Sequence, residues 1–176
     1  GDGGAVTTND PELADRLRLL RSHGERRRDD HEILGTTARL DSIQAAILRV
    51  KLRRLDISND ARRRIARRLD EALDGAVQTP PPPPPGLDHV YHQYVVRHDA
   101  RDELREHLAS RGVHSAVHYP VPIHQTKAYA DGNQHRLPNA ERLSQLICSL
   151  PIYPSMSAAE LDRVVEACVS FVAPNR

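Results

Sequence analysis

The stretch HVYHQYVVRHDARDELREHLASRGVHSAVHY, residues 89–119, decides the fold class of this chain. Its two ends, 89–97 and 113–119, have the composition of strands. Residues 101–111 between them are predicted to form a helix that stops at Gly112, because glycine tolerates the left-handed conformation common after a helix. A strand, a helix and a strand in succession predict an α/β unit.

The chain beyond residue 119 extends this unit. A proline-broken loop at 120–137 leads to a helix opened by Pro138, and a short strand is predicted at 148–153. Ser157 and Glu160 have the spacing of a capping box, which predicts the start of the last helix. The predicted buried face of that helix consists of Leu161, Val164, Val165, Cys168 and Val172.

Helices are also predicted toward the N-terminus. Asp10 is expected to cap the first, since its carboxylate can accept a backbone N–H and Pro11 has no donor to lose there. Gly24 is the expected end, and the polar segment 25–31 is predicted to be a loop.

A second, longer helix is predicted to begin at Asp41, whose spacing to Gln44 resembles a capping box. Its apolar stripe comprises Leu40, Ile43, Ile47 and Val50. A related stripe follows at Ala61, Ile65, Leu69 and Leu73. The residues DISND (56–60) between the two stripes predict a kink.

Six consecutive prolines, 80–85, mark a boundary. They favour a polyproline II spacer of about 19 Å, at about 3.1 Å per residue. We therefore expect three parts: 1–79, the spacer 80–86, and a small C-terminal α/β domain at 87–176. The alternative, a ligand for an SH3-type domain, lacks a PxxP context with flanking basic residues.

Composition weighs against several classes of protein. The 25 Lys and Arg nearly balance the 24 Asp and Glu, so a net charge of +1 gives no global attraction to nucleic acid or to a membrane. No apolar run approaches the about 20 residues of a membrane span. Cys148 and Cys168 lie far apart in apolar segments, which predicts reduced, buried thiols in a cytoplasmic protein. The opening GDGGAVTT has no initiator methionine, so we expect a fragment.

Two polar segments are candidates for binding. In GTTARLD (35–41), Gly35 permits an unusual turn, and Arg39 precedes a helix start, where its fork of donors can meet a phosphate or carboxylate. In HYPVPIH (118–124), prolines stiffen the loop and hold His118 and Tyr119 at the end of a predicted strand. A surface arginine and a structural histidine are the plainer interpretations.

Two other functions are weaker hypotheses. A metal site formed by His114, His118 and His124 lacks a Cys or carboxylate at a known spacing. The arginine-rich stretch 49–68 could bind nucleic acid, but aspartates interrupt it and no aromatic residue is interleaved for base stacking. A solvated helix face is the favoured interpretation of this stretch.

Taken in order, these segments resemble the sugar-nucleotide aminotransferases of the DegT/StrS type, a branch of the fold-type I pyridoxal-phosphate enzymes. The resemblance covers essentially the whole chain through GDGGAVTTND, LRSHG, HEILGTTARLDSIQAAILRVKL, HVYHQYVVR, HYPVPIH and SLPIYP. It implies an α/β fold in which 1–79 is the end of the large domain with a long interdomain helix, followed by the small domain. In such enzymes a lysine in a Lys-Asn-Leu-Gly stretch holds the cofactor shortly before the GDGG segment, so the catalytic lysine is expected upstream of Gly1.

The resemblance also implies roles for particular residues. Arg39 matches the arginine of the family's Gly-x-Asn-x-Arg loop, which crosses the dimer interface toward the partner's cofactor phosphate and substrate. Thr37 stands at the Asn position, so a hydroxyl replaces an amide. His118 and Tyr119 match a His-Tyr-Pro motif that lines the pocket for the nucleotide-linked sugar.

The implied reaction moves an amino group, expected from glutamate, through pyridoxal phosphate to a keto sugar of a nucleoside diphosphate in a homodimer with shared active sites. It needs a lysine amine and a carboxylate for the pyridinium nitrogen, both expected upstream. Lys51 and Lys127 lack the family's lysine context and are predicted to be structural. The alternatives are a non-catalytic relative or dimerisation module, and an anion-binding helical adaptor.

Overall fold

The computed structural model of this chain describes residues 3–129 and 136–171. The chain divides into two compact units, residues 1–55 and 56–176. This division falls before the proline spacer, because Ile65 and Leu69 lie in the same core as the strand after the spacer. The three predicted parts, with 80–86 as a domain boundary, stay a prediction for the intact protein.

The first unit contains two helices and a small hairpin: α1 (Pro11–Leu20), β1 (Glu25–Arg27), β2 (Asp30–His31) and α2 (Ser42–Leu52). Asp10 caps α1 as predicted, because its Oδ1 accepts the backbone N–H groups of Glu12 and Leu13 at 2.9 and 3.2 Å. Leu19 of α1 is the single buried hydrophobic residue in the described part of this unit.

The prediction of a loop at 25–31 is wrong, since β1 and β2 form an antiparallel pair there. Ionic contacts of Arg26 accompany this pairing. Its guanidinium lies 2.8 Å from Asp15 Oδ2 and 2.5 Å from Glu32 Oε1, and the two carboxylates raise its pKa. A polar composition alone does not reveal such a hairpin.

Helix α2 begins directly after Asp41, as predicted, but the capping box with Gln44 is absent because the Asp41 carboxylate makes no cap hydrogen bond. No residue of α2 is buried. The chain turns at Arg53 and Arg54, so the kink predicted at 56–60 was misplaced. Those residues form the first turns of the next helix, whose N-terminus favours the acidic Asp56.

The second unit comprises α3 (Leu55–Ala72), β3 (Tyr94–Arg97), α4 (Arg101–Ser110), α5 (Pro138–Leu146), β4 (Ile147–Leu150) and α6 (Ala158–Val169). Two short 3-10 turns, Ile123–Gln125 and Lys127–Tyr129, lie between α4 and α5. Strands β3 and β4 pair antiparallel with Tyr94 opposite Leu150 and Arg97 opposite Ile147.

All three strands predicted in this unit are shorter than expected, and the one predicted at 148–153 is β4 at Ile147–Leu150. Only 94–97 of the segment 89–97 is a strand, and 113–119 contains a single bridge between Ala116 and Ser149. In 89–93 the carbonyls of Tyr91 and His92 instead accept hydrogen bonds from Arg62 Nη1, both at 3.3 Å. This arginine is therefore a packing residue, which the solvated-face interpretation of 49–68 missed.

The core of this unit lies between the helices and the β3–β4 pair. Tyr94, Leu69, Leu104 and Leu108 are fully buried in it. The predicted face of α6 is confirmed for Leu161, Val164 and Cys168, Val165 is partly buried, and Val172 lies outside the described residues. Ser157 and Glu160 form the predicted capping box.

Both cysteines are free and buried. Burial raises the pKa of Cys148 to about 11 and that of Cys168 to about 12, because an apolar surrounding disfavours the thiolate. Along the described ranges 3–129 and 136–171, no helix is long and apolar enough to cross a membrane.

Candidate active site

The GTTAR loop is fastened to the end of α1 by backbone hydrogen bonds. Thr36 N donates to Leu20 O at 2.8 Å, His23 N donates to Thr36 O at 3.1 Å, and Ala38 N donates to Arg21 O at 3.0 Å. The LRSHG and GTTAR motifs, separated in sequence, therefore form one folded piece. The loop that precedes α2 is therefore fixed to the end of α1.

Gly35 is required by the closeness of these two motifs. A Cβ at this position would lie 2.2 Å from Gly24 N and 2.8 Å from Leu20 O, both backbone atoms. Gly24 has a φ of +70°, and a Cβ there would lie 1.7 Å from Ile33 O. The unusual turn predicted at Gly35 is not found, since its φ lies outside the left-handed region; close backbone approach is what requires glycine there.

Thr37, predicted to bind the cofactor, makes a side-chain hydrogen bond within its own unit. Its Oγ1 lies 2.7 Å from His23 Nε2 and the residue is exposed. The threonine that stands at the family's asparagine position thus contacts the histidine of LRSHG within the same unit. This partner was not foreseen, although His23 lies in a motif that the resemblance included.

Arg39 is exposed, and among the described residues it has no hydrogen-bond or ion-pair partner. It precedes Asp41, the N-cap residue of α2. A free guanidinium beside the positive end of a helix dipole, on a loop fixed by backbone hydrogen bonds, fits an anion such as a phosphate or carboxylate. The anion-binding role of Arg39 stays a prediction.

His118 is half-buried in the second unit, and its Nδ1 lies 2.9 Å from Ser149 Oγ. The peptide bond to Tyr119 is cis. The two rings meet edge to face, with centroids 5.5 Å apart and an angle of 90° between their planes. The imidazole is thus held between a hydroxyl and an aromatic ring, in agreement with the predicted fixed presentation.

Tyr119 is 72% exposed. It lines an open cavity of about 530 Å³ whose wall is mainly apolar and includes Pro122, His124, Tyr129 and Leu143. A largely apolar cavity with a few polar groups at its edge is the usual form of a small-molecule site. Tyr119 therefore lines this space and His118 contacts the Tyr119 ring, while their binding role stays a prediction.

From the sequence, His124 was considered only in the weaker metal-site hypothesis, yet it belongs to the cavity wall. Its Nε2 lies 3.0 Å from Glu141 Oε1, which also accepts the Leu137 backbone N–H at 2.9 Å. The Leu137 N–H and then His124 lower the pKa of the Glu141 carboxyl. One signal in the sequence could have pointed to this pair. Glu141 lies in the first turn of the helix opened by Pro138, a position that favours a carboxylate.

The remaining candidates show ordinary surroundings. Lys51 lies exposed in α2, and Lys127 lies exposed in a 3-10 turn. In the part of the chain that the structure describes, no three His, Cys, Asp or Glu side chains group to hold a metal ion. The structure thus brings Thr37 and Arg39 together in the first unit, and His118 and Tyr119 together in the second.

The DegT/DnrJ/EryC1/StrS aminotransferase family matches residues 1–169. The chain belongs to this family. Among proteins similar to this DegT-family chain, the dTDP-3-amino-3,4,6-trideoxy-alpha-D-glucose transaminase of Streptomyces venezuelae is 45% identical over 95% of this chain and 45% of its own length. The dTDP-3-amino-3,6-dideoxy-alpha-D-galactopyranose transaminase of Aneurinibacillus thermoaerophilus is 42% identical over 94% of this chain and 46% of its own length.

Structural comparison agrees with the sequence match. The crystal structure of S. venezuelae DesV in complex with a ketimine intermediate is 41% identical and has a TM-score of 0.88 over 94% of the DegT-family chain and 46% of its own. The predicted α/β fold, matching that of an aminotransferase, is thereby confirmed. The chain spans less than half the length of these relatives.

Proposed function

We propose that this chain supplies part of a pyridoxal-phosphate-dependent aminotransferase that acts on a nucleoside-diphosphate keto sugar. Support comes from family membership and from relatives whose names specify transaminases of dTDP-linked amino sugars. Glutamate is the proposed amino donor, and the proposed location is the cytoplasm. The catalytic lysine would lie in the remaining length that the relatives have.

The proposal rests chiefly on the surroundings of Arg39. Its guanidinium is exposed, lacks a described partner and stands on a loop fixed at three backbone hydrogen bonds. We propose that it binds the cofactor phosphate and the substrate of the partner subunit in a homodimer with shared active sites. Thr37 would lie near the same phosphate, its hydroxyl held by His23 at 2.7 Å.

Pyridoxal phosphate, when bound, supplies the electron sink that allows an amino group to move between donor and acceptor. The residues of this chain would hold and orient the reactants. Arg39 would neutralise a phosphate, while His118 and Tyr119 would bind the sugar nucleotide from the small domain. A fixed arginine fork suits a phosphate better than a lysine point charge does.

The shared-site proposal is tested by complementation in a full-length protein that contains this chain. Arg39→Ala and a second variant without the cofactor lysine are expected to be inactive as separate homodimers. Co-expression should restore activity, because a mixed dimer assembles one site with both residues. Arg49→Ala, an exposed arginine of α2, serves as the matched control. A mixed dimer that stays inactive would contradict a shared site.

The role of Tyr119 is tested by Tyr119→Phe in the same full-length protein. This change keeps the ring and its edge contact with His118 but removes the hydroxyl. We expect binding of the sugar nucleotide to lose about 0.5–1.5 kcal/mol, observed as a raised KM with unchanged cofactor absorbance and thermal midpoint. An unchanged KM with a lowered midpoint would assign Tyr119 to packing instead.

A further inference from the structure

We infer that Ser149 is a positioning residue for His118: its hydroxyl holds the imidazole in the orientation that binds the sugar nucleotide. The inference rests on the proposed function of His118. It adds a residue in β4 to which neither the sequence nor the family match assigned a role. The observation behind it is the 2.9 Å contact between Ser149 Oγ and His118 Nδ1.

The backbone of Ser149 is fixed on both sides. Strand β4 pairs Ser149 with Val95 of β3. On its other edge, Ser149 N donates to Ala116 O at 2.7 Å and Ala116 N donates to Ser149 O at 3.2 Å. A hydroxyl on such a residue has little backbone freedom, so it offers a defined hydrogen-bonding point.

The side chain of Ser149 lies on the face of β4 opposite the core. Cys148 and Leu150, its neighbours in the strand, both belong to the hydrophobic core cluster. Successive side chains of a strand point to opposite faces, so the Ser149 side chain lies on the other face. Ser149 is nevertheless only 7% exposed, so water competes little for its hydroxyl.

The contact decides which imidazole nitrogen is available. Nδ1 is occupied by Ser149 Oγ, while Nε2 has no hydrogen-bond partner among the described residues. If the hydroxyl donates to Nδ1, the proton of a neutral ring is on Nε2, which is then a donor; if the hydroxyl accepts from Nδ1–H, Nε2 is an acceptor. The Tyr119 ring, 5.5 Å away, limits rotation from the other side.

The first test measures the hydrogen bond at His118 Nδ1 in the full chain by imidazole ¹⁵N NMR. We expect Ser149→Ala to shift the His118 Nδ1 resonance, because that nitrogen loses its partner, and Ser149→Thr, which keeps a hydroxyl, to preserve it. Ser170→Ala is the matched control, because Ser170 Oγ contacts His107 Nε2 at 3.2 Å elsewhere in the unit. His118 resonances that do not move in Ser149→Ala would overturn the inference.

The second test measures steady-state kinetics in the full-length protein. We expect Ser149→Ala to raise the KM for the sugar nucleotide about three- to tenfold, the loss of one hydrogen bond, with kcat and thermal midpoint unchanged. Ser149→Thr should recover most of the affinity. In a variant that already lacks His118, Ser149→Ala should add nothing, since the two residues act through one contact.

The variant His118→Ala distinguishes a failure of the positioning role of Ser149 from a failure of the proposed role of His118. If it raises KM while Ser149→Ala leaves KM unchanged, the positioning role is wrong and the proposed role of His118 stands. If His118→Ala itself leaves KM unchanged, the proposed role of His118 fails, and the inference about Ser149 fails with it.

Discussion

The two units of the chain are stabilised by different means. The unit 56–176 has a hydrophobic core that includes fully buried Leu69, Leu73 and Tyr94. In the described part of the unit 1–55, Leu19 is the one buried hydrophobic residue, and the apolar stripe of α2 is exposed. The second unit is defined by burial of apolar area, whereas the first is defined by backbone hydrogen bonds, close approach of glycines and ion pairs.

This difference affects how each unit should respond to substitution. Removing apolar volume should destabilise the second unit strongly and the first only slightly. Adding a single methyl group between two closely approaching backbone segments should destabilise the first unit.

Leu69→Ala should destabilise the second unit most strongly. Leu69 is fully buried, so its truncation loses transfer free energy and leaves a cavity, which together cost about 2–5 kcal/mol. Denaturant unfolding measures the loss. Leu52→Ala makes the same chemical change at a residue that is 67% exposed, and it should have little effect. Equal losses for the two variants would contradict the contrast.

Gly35→Ala should damage the first unit while the core of the second stays intact. The new methyl group would meet backbone atoms of Gly24 and Leu20, and overpacking of this kind costs about 1–3 kcal/mol. Amide hydrogen exchange should accelerate at Thr36 and Ala38, whose N–H groups bond to the end of α1. Gly4→Ala is the control, because no atom lies within 4 Å of its Cβ.

Glu160→Gln should produce the smallest effect, and one that depends on pH. The Ser157 hydroxyl, the Ser157 backbone N–H and Tyr153 lower the pKa of Glu160 to about 2. Because the folded pKa lies below its ordinary value of 4.5, the ionised group stabilises the fold above that value and loses this contribution as pH falls toward 2.

The measurement is the free energy of unfolding against pH for wild type and Glu160→Gln. The difference between them should shrink between about pH 5 and pH 2. Glu166→Gln removes a charge from the same helix without touching the cap and serves as the control. A difference that is constant over this range would contradict the capping contribution.

Elements with a local sequence signature could be predicted well. Asp10 followed by Pro11, and Ser157 followed by Glu160, mark helix starts through side-chain hydrogen bonds that span only three residues. The hairpin at 25–31 escaped prediction because its ion pairs join Arg26 to a residue of α1. The strand predicted at 113–119 reduces to one bridge, since pairing depends on partners distant in sequence.

At the candidate site too, contacts between residues distant in sequence could not be predicted. The positions of Arg39, His118 and Tyr119 on fixed loops agree with the motifs that carried them. The partners of these motifs could not be predicted. Thr37 meets His23 fourteen residues away, and His118 meets Ser149 thirty-one residues away. Such contacts depend on tertiary placement, which a pattern of residue types does not encode.

The burial of Cys148 and Cys168 has a practical consequence for spectroscopy. Because burial raises both thiol pKa values well above 7, neither cysteine carries appreciable thiolate at neutral pH. Maleimide dyes and nitroxide spin labels react through the thiolate. A cysteine introduced at an exposed position such as Thr37 or Tyr119 would therefore take up the label selectively, with both native cysteines left in place.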